Sequence, residues 1–451
     1  MSQRVKAKLL SIGRAAVLSG ALGLLGNWAI PGPPVWAENI PEPLATDAML
    51  QAMLAKPASI DTALQYAVAT RDLGDIEASI GALERLLFYN PNLARVRFEL
   101  GTLYFRLGSY QMARGYFETV LSAADATTEM KERAQEYIDE IEKKLDPNQW
   151  SGYFQTGFRY QTNASFGPSQ QSLLGATRPI NSPFTPQADW NWFAAFALNY
   201  VHDFENQSGD VFEANIRGYT AQQFNVTEVS TGLLDIRIGP RFGVLLDTLK
   251  GASFKPYAVA TGVLLANQPY LGSFGAGMTM HFNWANAGWD PYIEIRRMDY
   301  RSSSLYPLAF GLEGILATAA LQGTGSITTD VRWQGRLTYS HADDRFPWYS
   351  YDRFAFDFWL PVKVPAPWGG RNWVLTPSFT VSPWLYRQPD PAIVPLVTER
   401  AFEWRVGAGL DIPIWDRFGL GIAVQYRAYN SNVPGNTIRD LAVTMGPAVS
   451  F

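Results

Sequence analysis

The sequence predicts a multi-domain chain: N-terminal all-α helical repeats, then an antiparallel transmembrane β-barrel of about fourteen strands, with twelve as the alternative. Three observations carry this. In the closing segment, apolar Leu441, Val443, Met445, Pro447, Val449 and Phe451 alternate with small or polar Asp440, Ala442, Thr444, Gly446, Ala448 and Ser450. That is the two-residue period of a strand with two unlike faces. From Trp150 onward the same alternation recurs between turns, and before Trp150 the apolar spacing is helical.

Composition sets the bounds. Aromatics make up 14% of the 451 residues and charged residues 17%, against about 25% charged in soluble domains. Cysteine is absent, which excludes disulfides, cysteine metal sites and an acylated N-terminal cysteine. Beyond the first forty or so residues no run of ~18 apolar residues offers a helical anchor.

Residues 1–37 read as a cleaved signal peptide. Arg4, Lys6, Lys8 and Arg14 form a basic region, Ala15–Leu25 is apolar, and Val35-Trp36-Ala37 offers a small-residue cleavage site. The leader carries four of the 37 basic residues and none of the 41 acidic ones, so the mature chain is net −8. Such a chain has no basic field for nucleic acid.

The helical domain is expected at 44–147. Within Val96–Ala123, Leu100, Gly101, Tyr104, Gly108, Ala113 and Phe117 have the spacing of a tetratricopeptide repeat. A step of about 34 residues back reaches Gly74, Ser79 and Leu83, with Pro91 at the place of the repeat's closing proline. This makes about two helix hairpins. Gly101, Gly108 and Ala113 are expected to let helices approach, while Leu100, Tyr104 and Phe117 fill the groove between them. A third helical stretch, Thr128–Leu145, has an apolar stripe and a charged outer face, as a terminal cap needs. The domain either binds a peptide or protein on its concave face or acts as a spacer.

The barrel is expected at 150–451. Strand candidates fall near 151–160, 190–203, 210–224, 230–246, 254–265, 270–283, 288–300, 326–341, 352–363, 372–387, 400–413, 418–430 and 439–451. Their number is odd, whereas a bacterial barrel with both ends on the periplasmic side has an even number. The missing strand is assigned to 308–321, LAFGLEGILATAAL. Short turns then fall at 365–372 and 415–417, and longer loops at 342–351, 388–399, 431–439 and 161–189.

The charged face of these strands is the candidate lumen: Arg159, Glu213, Arg217, Asp235, Arg237, Arg241, Asp330, Arg332, Arg336, Asp357, Glu403, Arg405, Asp411 and Arg427. On the lipid face each arginine would cost about 2–4 kcal/mol at mid-membrane. Inside, they either line a passage or form a paired ladder that holds the barrel's shape. Phe451, Val449, Met445 and Val443 form the candidate signal for the barrel-assembly machinery.

No catalytic, metal or cofactor site is expected. His202, His281 and His341 lie on separate strands without metal-ligand spacing. Ser340-His341 beside Asp343 and Asp344 is the one cluster with nucleophile chemistry, but adjacent strand residues point to opposite faces.

The motifs LGTLYFRLGSYQMARGYFE (Leu100–Glu118), GFRYQTNASFGP (Gly157–Pro168) and YNSNVPGNTIRDLAVTMGPAVSF (Tyr429–Phe451) sit in the order signal peptide, repeats, barrel. In this the chain resembles the surface lipoprotein assembly modifier family. The resemblance implies an outer-membrane translocon that helps lipoproteins or soluble clients reach the cell surface. It also implies a periplasmic repeat domain that engages client or chaperone; the barrel pattern itself and its terminal Phe451 add outer-membrane lipid and the barrel-assembly machinery as expected partners. The alternatives are an exopolysaccharide export porin, which usually carries more repeats and a wider barrel, and a passive porin or structural barrel.

Overall fold

The computed structural model describes residues 46–451 apart from 57–58, 73–74, 169–184, 207, 245–250, 368, 392–394 and 434. The expected signal peptide, 1–37, lies outside the described residues, as does Gly74. Two compact units meet in sequence between Gln149 and Trp150.

The first unit is six helices: α1 (Thr46–Ala55), α2 (Ile60–Asp72), α3 (Ile76–Tyr89), α4 (Ala94–Arg106), α5 (Tyr110–Ser122) and α6 (Thr128–Leu145). Asp75 caps α3 by accepting from the Ala78 N–H at 3.0 Å, and Thr127 caps α6 by accepting from Met130 at 3.2 Å. Leu83, Leu86, Val96 and Leu100 form one buried cluster with α2, and Phe117, Val120, Ile138 and Ile141 form a second. Phe117 stacks on Tyr137 with ring centres 4.8 Å apart.

Gly101 faces the Phe117 ring so closely that a Cβ there would sit 2.8 Å from Cε1. Ala113 is fully buried. Its counterpart one repeat earlier, Ser79, is equally buried, and its hydroxyl meets Thr70 at 2.6 Å and donates to the Ala67 carbonyl at 2.9 Å. Gly108 serves a different purpose from the one expected. Nothing lies within 4 Å of its would-be Cβ, and its φ of +75° makes the left-handed turn between α4 and α5. Tyr104 donates to Glu84 at 2.6 Å. Burial, followed by this bond and the carboxylate's charge, holds its phenol well above the usual range.

The second unit is a closed antiparallel barrel. Its strands are β1 (Asn148–Gln161), β2 (Asp189–Asp203), β3 (Val211–Gln223), β4 (Thr231–Gly243), β5 (Ser253–Leu265), β6 (Gln268–Trp284), β7 (Ala287–Tyr300) and β8 (Gly314–Ser326). They continue with β9 (Arg332–Asp344), β10 (Tyr351–Trp359), β11 (Val362–Val364), β12 (Trp373–Tyr386), β13 (Arg400–Pro413), β14 (Phe418–Ser431) and β15 (Ile438–Ser450). β10 and β11 are two parts of one stave, broken at Leu360-Pro361 and both paired to β12, so fifteen segments make fourteen staves. Each neighbour pairs with the next, and β1 pairs with β15 to close the ring. Beyond β15, Phe451 and Gly152 exchange backbone hydrogen bonds of 3.0 and 2.8 Å. Closure leaves no open edge, as a sheet in lipid requires.

Two strands differ from expectation. The strand placed at 308–321 is β8, Gly314–Ser326, and the one placed at 326–341 is β9, Arg332–Asp344. Ala309–Leu312 form a 3-10 turn instead, and Ala309 and Leu312 are buried in the barrel's interior cluster. Their apolar character serves that inward packing, not a lipid face. Asp330 consequently lies in the exposed turn before β9 and not on the lumen wall.

The long connections after β1, β7 and β12 leave the strands at one end of the barrel, and turns such as 285–286 and 414–417 lie at the other. The β5–β6 and β6–β7 connections are both Ala-Asn pairs with φ of 51° and 59° and of 52° and 59°. Positive φ at both centres is the type I′ geometry that matches strand twist.

Outward residues are apolar: Phe158, Phe274, Ile295, Leu337 and Val406 are each half exposed or more. Aromatic pairs mark both rims. Tyr160–Trp190 lies 5.2 Å apart at the long-loop end, and Trp289–Trp333 lies 5.9 Å and Trp415–Phe418 5.3 Å apart at the other. An apolar belt between aromatic rims is the surface of a membrane-spanning barrel. An apolar hollow of about 630 Å³ on this face lies over Ala319, between Met278, Ile293, Leu337 and Phe354.

Candidate functional site in the barrel lumen

Alternation and register decide which side chains enter the lumen. On β4, Asp235 stands opposite Arg217 of β3 and Thr261 of β5, and Thr261 stands opposite Ser273 of β6. These make one inward layer. Thr261 donates to Asp235 at 2.7 Å, and Arg296 donates to Thr261 at 2.6 Å and to Glu294 at 2.6 Å. Arg237 donates to Asp235 at 3.2 Å, and the Tyr257 hydroxyl donates to Glu294 at 2.9 Å.

Across the lumen, Glu403 has no exposed surface and accepts from Arg405 at 2.9 Å and Arg427 at 2.8 Å. Arg353 donates to Ser382 at 2.8 Å and lies 4.7 Å over the Trp384 ring. Towards the short-turn end Glu213 pairs with Arg241 at 2.8 Å and Lys255 at 2.6 Å. Arg336 pairs with Asp357 at 2.9 Å, and Thr380 donates to the same carboxylate at 2.8 Å. Around Glu403, where all three side chains are buried, removing one member costs about 3–5 kcal/mol because the other charge is stranded, so this network braces the wall.

At the long-loop end the lumen is apolar. One buried cluster lies on β2–β7 with Phe193, Tyr219, Leu233, Val263 and Tyr300, joined by Ala309 and Leu312 from their loop. A second lies on β12–β15 with Trp384, Tyr386, Ala401, Tyr429 and Ile438. Phe166, from the loop after β1, packs against both. The Arg427 guanidinium lies 5.8 Å from its ring. One aromatic ring therefore spans from wall to wall.

A hydrogen-bonded loop holds Phe166 there. Asn163 is 1% exposed, its Oδ1 accepts from Gly167 N at 2.9 Å, and its Nδ2 donates to Gly167 O at 2.8 Å and Arg439 O at 3.1 Å. Asp440 accepts from Gln161 at 3.0 Å, Thr162 at 3.3 Å and Asn163 N at 2.9 Å. Phe166 has φ of 50°, a left-handed conformation that an aromatic residue adopts at a cost of about 1–3 kcal/mol. The surrounding bonds offset it.

The three histidines are apart. His202 and His341 alternate outward, and His281 enters the lumen near the short-turn end, 2.8 Å from Asp290. His341 bonds Asp352 at 2.7 Å on the outer wall, while Ser340 is buried on the inner wall. Among the described residues no three His, Asp or Glu side chains could hold a metal ion.

Of the candidate lumen residues, Arg159, Glu213, Arg217, Asp235, Arg237, Arg241, Arg332, Arg336, Asp357, Glu403, Arg405, Asp411 and Arg427 all occupy inward positions. In β15, Val443, Met445 and Val449 face outward, with Phe451 just past the strand. Sequence reading missed Lys255, Glu294, Arg296, Arg353 and Asp440. Glu294 and Arg296 alternate with Ile293 and Ile295, a signal obscured by the neighbouring outward Arg297. Phe166 has no periodic signal at all.

No family model and no curated protein matches the chain. Among solved structures, the outer membrane channel DcaP of Acinetobacter baumannii is similar at 8% identity and a TM-score of 0.37, over 67% of this chain and 97% of that one. MamA is similar at 17% identity and a TM-score of 0.20, over 22% of this chain. A tetratricopeptide repeat protein from Parabacteroides merdae is similar at 17% identity and a TM-score of 0.21, over 31% of this chain. This chain spans about half the length of those two repeat proteins, 57% and 46%. Scores this low carry no argument. The class, helical repeats followed by a fourteen-stave membrane barrel, rests on the chain's own elements.

Proposed function

We propose that this protein is an outer-membrane export or assembly factor of the surface lipoprotein assembly modifier kind, delivering a lipoprotein or soluble client to the cell surface. One observation carries the reading: a small helical repeat unit leads directly into a barrel whose long-loop end is spanned by its own Phe166. A helical unit able to recruit and an aromatic ring across the bore suit the gated passage of a client better than free diffusion. With an even stave number, both ends of the barrel sequence lie at the short-turn end. In bacterial barrels that end is periplasmic, which supports the reading that the helical unit lies in the periplasm and the long loops at the cell surface. There the helical unit recruits client or chaperone, and its exposed Phe88–Tyr89 edge-on pair offers an apolar contact for a peptide. The assembly machinery inserts the barrel by reading the outward face that ends at Phe451. We read the chain as non-enzymatic: among the described residues, the histidine that enters the lumen, His281, meets Asp290 and not a nucleophile.

Crosslinking in cells, then purification of the barrel, tests this. The account expects a secreted or surface protein, or its periplasmic chaperone, recovered with the full chain and lost when residues 44–147 are deleted. Recovery of the barrel-assembly machinery alone from both forms would contradict it.

A second reading, polysaccharide export, is favoured by the aromatic wall of Tyr351, Trp384, Tyr386 and Tyr429, since sugar rings stack on such faces. Loss of extracellular polymer on deletion of the gene, with the surface proteome unchanged, would select it.

A further inference from the structure

We propose that the lumen contains a binding site for a small oxyanion, a carboxylate or phosphate, formed by Arg159, Tyr219 and Arg217 beneath the apolar layer. Arg159 is 8% exposed, and its Nε is buried with no hydrogen-bond partner among the described residues. The Tyr219 hydroxyl, on a side chain 6% exposed, is likewise buried, and among the described residues its only polar neighbour is the Arg159 guanidinium. The two are adjacent: the Arg159 guanidinium carbon lies 6.0 Å from the Tyr219 ring centre. Arg217 enters the lumen two residues before Tyr219 on the same strand face. Among the described residues no carboxylate lies within ion-pair distance of Arg159 or Arg217, whereas Arg237, Arg241, Arg296, Arg336, Arg405 and Arg427 each have one.

A buried guanidinium N–H and phenol O–H whose only polar neighbours are each other lack a good acceptor, which is costly in a protein interior. Both are donors, so the group that would relieve the cost is an acceptor, and two guanidinium charges favour an anion, since Asp235 opposite Arg217 is engaged by Thr261, Arg237 and Arg296. A planar or tetrahedral oxyanion can accept from a guanidinium fork and a hydroxyl together. Chloride can take the charge but not the fork geometry. Tyr219 belongs to the same apolar cluster as the residues under Phe166, so the site is roofed at the long-loop end and approached from the short-turn end. The ligand therefore comes from the periplasmic side under the topology proposed above. Occupancy itself depends on the lumen alone, so this proposal can fail while export stands, and the reverse.

Thermal unfolding of the purified full-length protein in detergent tests it, with inorganic phosphate and succinate as separate probes against chloride at equal ionic strength. At about 10 mM, one or both oxyanions should raise the midpoint by roughly 3 °C over chloride. Phosphate alone or succinate alone would identify the anion class. Arg217→Gln, at a water-exposed lumen position, should abolish the shift while folding normally, and Arg159→Lys should weaken it several-fold. Arg332→Gln, at the short-turn end, should leave the shift intact. Equal midpoints in chloride and both oxyanions would overturn the proposal, as would an undiminished shift in Arg217→Gln.

Discussion

The Asp440 carboxylate accepts the backbone N–H of Asn163 at 2.9 Å, tying the last strand to the loop that carries Phe166 into the barrel. Two segments 277 residues apart in sequence thus set the position of one aromatic ring. The same carboxylate accepts from Gln161 and Thr162, so its loss unties three donors at once.

Asp440→Ala should therefore release the loop. Leaving buried donors unpaired costs about 1–3 kcal/mol for each affected group, enough to offset the bonds that hold Phe166 at positive φ. In planar bilayers the variant should show longer or larger openings than the native protein, and Phe166→Ala should reproduce the effect without disturbing Asp440. Identical current traces for all three proteins would sink this account of the bore.

The seam offers a second test. The aromatic ring of Phe451 lies against Gly152, where no Cβ can be accommodated without a shift. Gly152→Val should displace the terminal residue and lower the yield of heat-modifiable folded barrel, as deletion of Phe451 should. Normal folded yield from the deletion would refute the assembly-signal role while leaving the barrel itself intact.

In the helical unit, Gly101→Val should force the Phe117 ring away from the 2.8 Å approach that a Cβ would impose. Overpacking of this kind costs about 1–3 kcal/mol. Increased protease sensitivity confined to residues 46–145, with the barrel unchanged, is the expected result. Gly108→Ala should also destabilise, through its φ of +75° rather than through a clash.

Glu399 provides a pH test outside the strands. It accepts from Ser431 at 2.7 Å and Asn436 at 2.8 Å, linking two long loops. Burial raises its carboxyl above the usual range, only partly opposed by those hydrogen bonds. A raised folded value means that the folded loops hold the proton more tightly than the opened ones. Their closure is strongest below the ordinary carboxylate range and weakens as pH rises through the raised value. Amide exchange at Asn432, corrected for intrinsic rate, should show opening that increases with pH over this window, and Glu399→Gln should flatten it. The same slope in both proteins would contradict the assignment.

Much of this was legible in the residues, for physical reasons. Alternation at Phe402–Ile412 and Phe418–Tyr426 reports a face because lipid and lumen demand opposite chemistry at every second position. Strand parity, counted back from Phe451, required a strand before β9, and it exists. It lies at Gly314–Ser326 and not at 308–321, because Ala309 and Leu312 are apolar for an inward loop contact that periodicity cannot distinguish from a lipid face. The ring of Phe166 across the bore has no signature in the sequence for a related reason. Phe166 is held by Asn163, and Asn163 by Asp440 and the Arg439 carbonyl, and no local pattern encodes a bond between the first loop and the last strand.

The central claim is that the helical unit and the barrel together put a client on the cell surface. Labelling of intact cells with a membrane-impermeant reagent, followed by comparison of the labelled proteins, tests it most directly. Cells making the full chain should be compared with cells making the barrel without residues 44–147, at equal levels of folded barrel. The account predicts that one or a few lipoproteins or secreted proteins disappear from the labelled set and accumulate in the periplasm. An unchanged labelled set, with the truncated barrel folded and inserted, would contradict it.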